Sequence, residues 1–532
     1  MFTFTKNQTK FASVLLSVAL VTFGVSAGPA QAIDNRPACG PDLDGVTVCE
    51  GATTDGAKYA IQVPEDFNGT VFLYSHGYQY SVDVPPLGYS TATSLDNPAL
   101  SPDVMVTETL LAQGYAVAAS TFPVLGWNTA EAVKTNVELI GVVKKAFKDT
   151  KKVIAWGNSL GAYITQALAE KYPKLIDGSG LMCPALGDVN AVITGAGDFL
   201  WALKTFFEPR LTGHAYAAGA AGLTQAYTDL GLLQALGETL QTAVATELVL
   251  GTPQWPATAP ARTALGAIPV RAVLLYLGLM AGIPTRSPHF DGVSGPGVEG
   301  STPEFGFALT ANPVFAVLQN GFEAAGLAIL AKYDLEVKSG GAFWNNLRTD
   351  YASRMTLEKT VFNAALGGSD AIAGIETYLA SFQVPRQAAS APAAAAFAKQ
   401  IKHTGKLNHP TVVLAATEDA ITTDGNTQWL VNKQKTAAAK AKLLVLWNKP
   451  AAVYTKFTAA GRPDTSGPKA NGTGHCNFTA DQTLAVADLL ADAVDNKGKL
   501  DTGTLRANVL ESAPGLSIAP YKGRIQKFYI SR

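Results

Sequence analysis

The stretch Lys152-Val-Ile-Ala-Trp-Gly-Asn-Ser-Leu-Gly-Ala-Tyr163 decides how the rest of the chain is read. Val153 to Trp156 is a short apolar run of strand character. After it come Gly157-Asn158-Ser159-Leu160-Gly161, and then apolar residues at helical spacing: Ala162, Ile164, Ala167 and Leu168. A Gly-x-Ser-x-Gly set between a strand and a helix holds its serine on a sharp, strained turn. The two glycines leave room for the backbone to double back. The turn lifts the Ser159 hydroxyl above the sheet, at the positive end of the next helix. A pentapeptide of this kind arises readily by chance in a chain with 50 glycines, so its context must decide.

Outward from this point the pattern is strand, helix, strand. Lys58–Val63 alternates like a strand. Gly69–Ser75 and Tyr115–Ser120 are near-continuous apolar strands, and Ala130–Phe147 has helical spacing. Ile176–Met182 reads as a further strand. Buried strands separated by helices imply an α/β fold with a mostly parallel central sheet. The pattern stops after Cys183-Pro184. Residues 185–404 hold long Ala/Leu-rich helical stretches, such as Tyr227–Leu248 and Pro313–Lys332, with Gly/Pro-rich loops between them. Ala388–Ala396 is low-complexity, a linker or the start of a helix. Strand and helix signals resume at Pro410–Ala416, Thr427–Lys440, Lys442–Trp447 and Thr479–Val494. The expected organisation is therefore a core in two parts, 33–184 and 405–532, with a helical cap inserted at 185–404. The last residues, 497–532, carry no clear signal.

The 532 residues suffice for a large core, and with 16% charged residues and a net charge of −1 nothing suggests a nucleic-acid partner. Residues 1–32 read as an export signal. Lys6 and Lys10 precede the apolar run Phe11–Val25, and Ala30-Gln31-Ala32 is a small-x-small cleavage site. No later segment reads as a membrane anchor; Ala264–Met280 is interrupted by Pro269 and Arg271. Four cysteines in an exported chain suggest two disulfides.

A serine hydroxyl needs a histidine to take its proton and a carboxylate to orient that histidine. In a strand–turn–helix setting of this kind the order along the chain is serine, acid, histidine. Of the six histidines, His76, His214, His289, His403, His409 and His475, only His475 follows the last core strand. Asp419 stands just past the end of the strand Pro410–Ala416, with Glu418 and Asp424 as rivals; Glu418 reads as a solvated turn residue. An oxyanion needs two preorganised N–H donors. One is expected from Leu160, the other from Tyr78 or Gln79 after His76-Gly77, with His76 bracing that loop. No metal, nucleotide or other cofactor is implied, since there is no close His/Cys cluster and no phosphate-cradling Gly-rich loop.

With these residues in hand, the chain resembles secreted bacterial α/β-hydrolases of the lipase/esterase kind. The likeness covers about 33–184 and 405–500 and rests on His76-Gly77, Gly157–Gly161, Thr417-Glu418-Asp419 and Gly474-His475. It implies a serine hydrolase cleaving a small or polymeric carboxylic ester through an acyl-enzyme, with the cap over the active site. There is also a partial likeness to tannases and feruloyl esterases, which place a cysteine after the catalytic histidine, as in His475-Cys476. They place another before the serine, where this chain has Asn158. An exopeptidase with the same triad is an alternative, with Glu304, Asp350 and Arg354 available to hold a peptide terminus. A non-catalytic binding protein on the same fold is another.

Two further expectations follow. Apolar helices such as Val270–Met280 should line an acyl pocket. Cys183 ends the strand beyond the elbow, and Cys476 adjoins His475, which must reach the same sheet edge. The expected disulfides are thus Cys183–Cys476 and Cys39–Cys49.

Overall fold

The computed structural model describes residues 36–41, 45–296, 307–308, 310–500, 503–521 and 523. The export signal read at 1–32 and Glu304 lie outside them. Among the described residues ten strands form one sheet: β1 Ala38–Pro41, β2 Thr47–Ala52, β3 Lys58–Val63, β4 Thr70–Ser75, β5 Ala116–Ser120, β6 Lys152–Asn158, β7 Gly178–Met182, β8 Thr411–Ala416, β9 Leu443–Asn448 and β10 Leu516–Ser517. Their order is β1-β2-β3-β5-β4-β6-β7-β8-β9-β10. From β5 to β9 all neighbours are parallel, while β1, β2, β3 and β10 pair antiparallel at the two edges. This is the α/β-hydrolase fold. β1, β2 and β10 carried no legible signal: β1 and β10 are short edge strands, and β2 buries only Cys49, so none has the buried apolar run that marks the central strands.

The central strands are covered on both faces, as parallel strands must be. Val71, Leu73, Ala116, Ala118, Val153 and Ala155 face α3 (Thr129–Ala146) and α4 (Leu160–Lys171). Their neighbours Phe72, Tyr74, Val117, Ala119, Ile154 and Trp156 face α2 (Val104–Ala112) and the helix Ala480–Asp495; α1 is the short helix Thr91–Asp96. The chain leaves β4 for β5 on one flank and returns to β6 on the other. The carboxyl ends of β4 and β6 therefore flank a topological switch point, where such sheets open a crevice.

β7 and β8 are neighbours in the sheet, yet 228 residues separate Met182 from Thr411. Among the described residues that span holds α5 (Val189–Phe206), α6 (Ala220–Leu250), α7 (Arg262–Leu265), α8 (Val270–Ala281), α9 (Asn312–Ser339) and four further helices, with no strand. Helix α9 packs on α5, α6 and α8. It is apolar and long enough to cross a membrane, but 67% of its most apolar window is buried inside the protein. Ala391–Phe397 is helical, started by Pro392 and capped by the Ser390 hydroxyl.

Candidate active site

Ser159 sits between β6 and α4 with φ 54° and ψ −119°. A non-glycine residue there is strained by about 1–3 kcal/mol, and the packing around it explains why it stays. A Cβ on Gly157 would lie 2.5 Å from the Ser75 carbonyl, and one on Gly161 1.9 Å from it. Both glycines are thus required for the elbow to press against the end of β4.

Asp419, His475 and Ser159 form one hydrogen-bonded chain. His475 Nδ1 lies 2.9 Å from Asp419 Oδ2 and 3.1 Å from Oδ1; His475 Nε2 lies 2.8 Å from Ser159 Oγ. Asp419 is buried, and its Oδ1 accepts from the N–H groups of Ile421 (2.8 Å) and Thr422 (2.9 Å). The Thr422 hydroxyl lies 3.0 Å from Oδ2 and donates to the Cys183 carbonyl at 2.8 Å. Burial would raise the Asp419 carboxyl, but the His475 charge, its N–H and the two backbone donors outweigh it and hold the group below its ordinary value. Burial would lower His475; Asp419 and, more weakly, Glu323 outweigh it and hold the imidazole above its ordinary 6.5.

The histidine loop is tied at both ends. The Cys183–Cys476 disulfide joins it to the end of β7, with Cα atoms 5.2 Å apart. The second bridge, Cys39–Cys49, crosses directly opposite residues of β1 and β2. Cys183, His475 and Cys476 also lie close enough to suggest ligands, but both sulfurs are committed to the disulfide. On the acid side, the Glu418 N–H donates to the Gly472 carbonyl, and the Gly474 N–H donates to the Glu418 carbonyl. Glu418 is not the solvated turn residue expected: burial pushes its carboxyl up to about 8, with Arg286 opposing and Asp424 adding to the shift. The strand that presents Asp419 pairs with the loop that presents His475, Glu418 opposite Thr473, and this leaves Glu418 half-buried. Asp424 instead begins the helix Asp424–Lys433 and does not reach His475.

His76 is buried, with Nδ1 2.7 Å from the Gly77 carbonyl, Nε2 3.3 Å from the Thr121 carbonyl and its ring on Phe122. It braces the loop. A Cβ on Gly77 would lie 3.3 Å from Ser159 Cβ, so this loop passes directly over the serine. Tyr78 lines the pocket at Ser159 together with Leu160. The carbonyl of Gln79 accepts from the Gly126 N–H, and Gln79 does not border that pocket. The first N–H groups of α4, Leu160 among them, have no partner in the helix.

A narrow cavity of about 60 Å³ opens at Ser159. Its walls are Tyr78, Trp127, Leu160 and Ile421, with Val192, Ile193 and Ala196 of α5 and Ala324, Leu327, Ala328 and Ala331 of α9. The expectation for α8 is thus corrected: apart from Arg271, Val270–Ala281 is buried on all sides and belongs to the cap's own core. A helix apolar all round is a core helix. The α9 residues recur at helical spacing, a stripe visible in the sequence but indistinguishable there from a packing face. Of the groups considered for a peptide terminus, Asp350 caps the helix Tyr351–Arg354, and Arg354 is paired with buried Asp198 at 2.7 Å.

No known family model matches the chain. A stretch of 132 residues, 24% of this chain, is 28% identical to o-phthalyl amidase of Xanthobacter agilis. The match spans about a quarter (25%) of that relative's length. Among solved structures, feruloyl esterase B from Aspergillus oryzae aligns over 86% of this chain and 82% of its own, with 13% identity and a TM-score of 0.35. An esterase from the same organism aligns over 85% and 80%, with 12% identity and a TM-score of 0.33.

Proposed function

We propose that the protein is an exported serine hydrolase that cleaves carboxylic esters. The observation that carries this reading is the unbroken chain from Asp419 Oδ2 through the His475 ring to Ser159 Oγ, at 2.9 and 2.8 Å. Ser159 attacks the ester carbonyl as His475 Nε2 takes its proton, and Asp419 stabilises the imidazolium. The N–H groups of Leu160 and Tyr78 hold the oxyanion. His475 then protonates the leaving alcohol, and water resolves the acyl-enzyme by the same route. The acyl group enters the apolar cavity between α5 and α9. The two disulfides fit an oxidising compartment.

An amide is the second reading, favoured by the partial match to an amidase. A fluorophosphonate probe and matched p-nitrophenyl esters, p-nitroanilides and aminoacyl-p-nitroanilides separate the possibilities. The expected result is labelling at Ser159 and turnover of esters above anilides, both lost in Ser159→Ala, whose activity should fall by several orders of magnitude. More than about a tenth of wild-type activity in that variant, or no labelling, refutes the proposal.

A further inference from the structure

Helix α9 runs past the site, and successive turns on one stripe make different contacts. The Ser287 hydroxyl donates to Gln319 Oε1 at 2.7 Å, and Gln319 Nε2 lies 2.8 Å from His289 Nδ1. His289 Nε2 is 3.1 Å from the Gly467 carbonyl, and the Ala470 N–H donates to the Pro288 carbonyl at 2.9 Å. The Gln319 turn is therefore tied to the loop that carries His475. Leu327 and Ala324 line the cavity at Ser159. Glu323 follows Gln319 by four residues and precedes Leu327 by four, so it lies on the stripe between them.

Its electrostatic neighbours agree with that position. Asp419, His475 and Lys469 act on the Glu323 carboxylate, which in turn acts on His475 and Tyr80. Its surface is accessible, yet burial is the largest influence on its carboxyl and pushes it up. Among the described residues Glu323 has no hydrogen-bond or ion-pair partner. Beside it, the Tyr80 ring meets Tyr78 and Tyr89 edge-on, with centroids 5.9 and 5.2 Å away.

We propose that Glu323 selects the leaving group, favouring esters whose alcohol carries a cationic, ammonium-type head. This rests on the ester-hydrolase reading above. His475 Nε2 delivers its proton to the departing alcohol, so the side of the site next to His475 is the leaving-group side. An unpaired carboxylate there attracts a cation, and the neighbouring Tyr80 face adds to the attraction. Lys469 offsets part of it. The acyl cavity has no charged wall, so the discrimination falls on the alcohol and not on the acid.

The test uses two isosteric esters of one short acid, the choline ester and the uncharged 3,3-dimethylbutyl ester, with the full exported chain. The readout is the ratio of their kcat/KM values, which a general loss of activity does not move. Wild type should favour the choline ester by roughly fivefold to tenfold, the size expected of one partly hydrated carboxylate a few ångströms away. Added salt should shrink the preference. In Glu323→Gln the ratio should fall towards one, and in Lys469→Gln, on an exposed loop, it should rise. If the neutral ester is hydrolysed and neither variant moves the ratio, the role of Glu323 is refuted and the ester reading stands. If Glu323→Gln does not fold, the Lys469→Gln ratio alone decides: a rise supports the proposal and an unchanged ratio refutes it. If wild type hydrolyses neither ester, both readings fall.

Discussion

Replacing Asp419 by asparagine should disable the site through the wrong histidine tautomer, and the hydrogen bonds around it say which way the amide must point. Oδ1 accepts from two backbone N–H groups, Ile421 at 2.8 Å and Thr422 at 2.9 Å. An NH2 group there would face two donors, so the amide oxygen takes that place. The NH2 group then occupies the Oδ2 position, 2.9 Å from His475 Nδ1. It donates to Nδ1, which must be unprotonated, and the ring proton moves to Nε2. An Nε2–H facing Ser159 Oγ at 2.8 Å has no lone pair to take the serine proton. The cost for such a tautomer error is on the order of 10⁴ in kcat, about 5 kcal/mol of barrier. The loss of Asp419 also removes the main influence raising His475, so any residual activity should titrate at lower pH than in wild type. Asp419 has a depressed folded value, so its stabilisation exists above its unfolded 3.8 and is lost as pH falls through the lowered value. At neutral pH the variant should be only a few degrees less stable. The assays are p-nitrophenyl ester kinetics across pH, thermal melting, and ¹⁵N shifts of the His475 ring. More than a tenth of wild-type rate, or a ring still protonated at Nδ1, would refute the reasoning.

Ala328→Phe should fill the cavity at Ser159 and shift preference towards shorter acyl chains, whereas Leu277→Ala, inside the cap core, should cost about 2–5 kcal/mol of stability with little change in chain-length preference; equal shifts from both would contradict the assignment of the walls. Glu418→Gln should stabilise the protein increasingly as pH rises from 4.5 to about 8, because the wild-type folded value lies above the unfolded 4.5 and the stability of the neutral carboxyl is lost over that window; a melting-temperature difference that does not grow with pH would exclude this. Removing the Cys183–Cys476 bridge, which closes a span of 293 residues, should destabilise by up to about 5 kcal/mol. It should also lower activity at temperatures where the fold survives, by releasing the His475 loop. Full activity until global unfolding would limit the bridge to stability.

Much of the site could be read from the chain because its parts are tied to local features. The elbow is one continuous strand–turn–helix segment, and the two glycines that let it press on Ser75 are inside it. Strand direction then brings the ends of β7, β8 and the following loops to one edge, which is why Asp419, His475 and the Cys183–Cys476 pairing could be placed without coordinates. The cap resisted the same reasoning. Its helices are rich in Ala and Leu, and the sequence distinguishes apolar from polar faces but not which apolar face meets the cavity and which meets another helix. Val270–Met280 reads as a pocket wall and is core, whereas Ala324, Leu327 and Ala328 of α9 line the cavity at Ser159. Glu418 and Glu323 show the same limit for charge. Each is an ordinary acid in the sequence, and only the approach of the histidine loop to one, and of α9 to the cleft, gives them their surroundings. Local order along the chain specified the Ser159 elbow, the candidate partners Asp419 and His475, and the sheet. The long-range packing of helices, which depends on contacts between residues far apart in sequence, decided the shape and charge of the space above them.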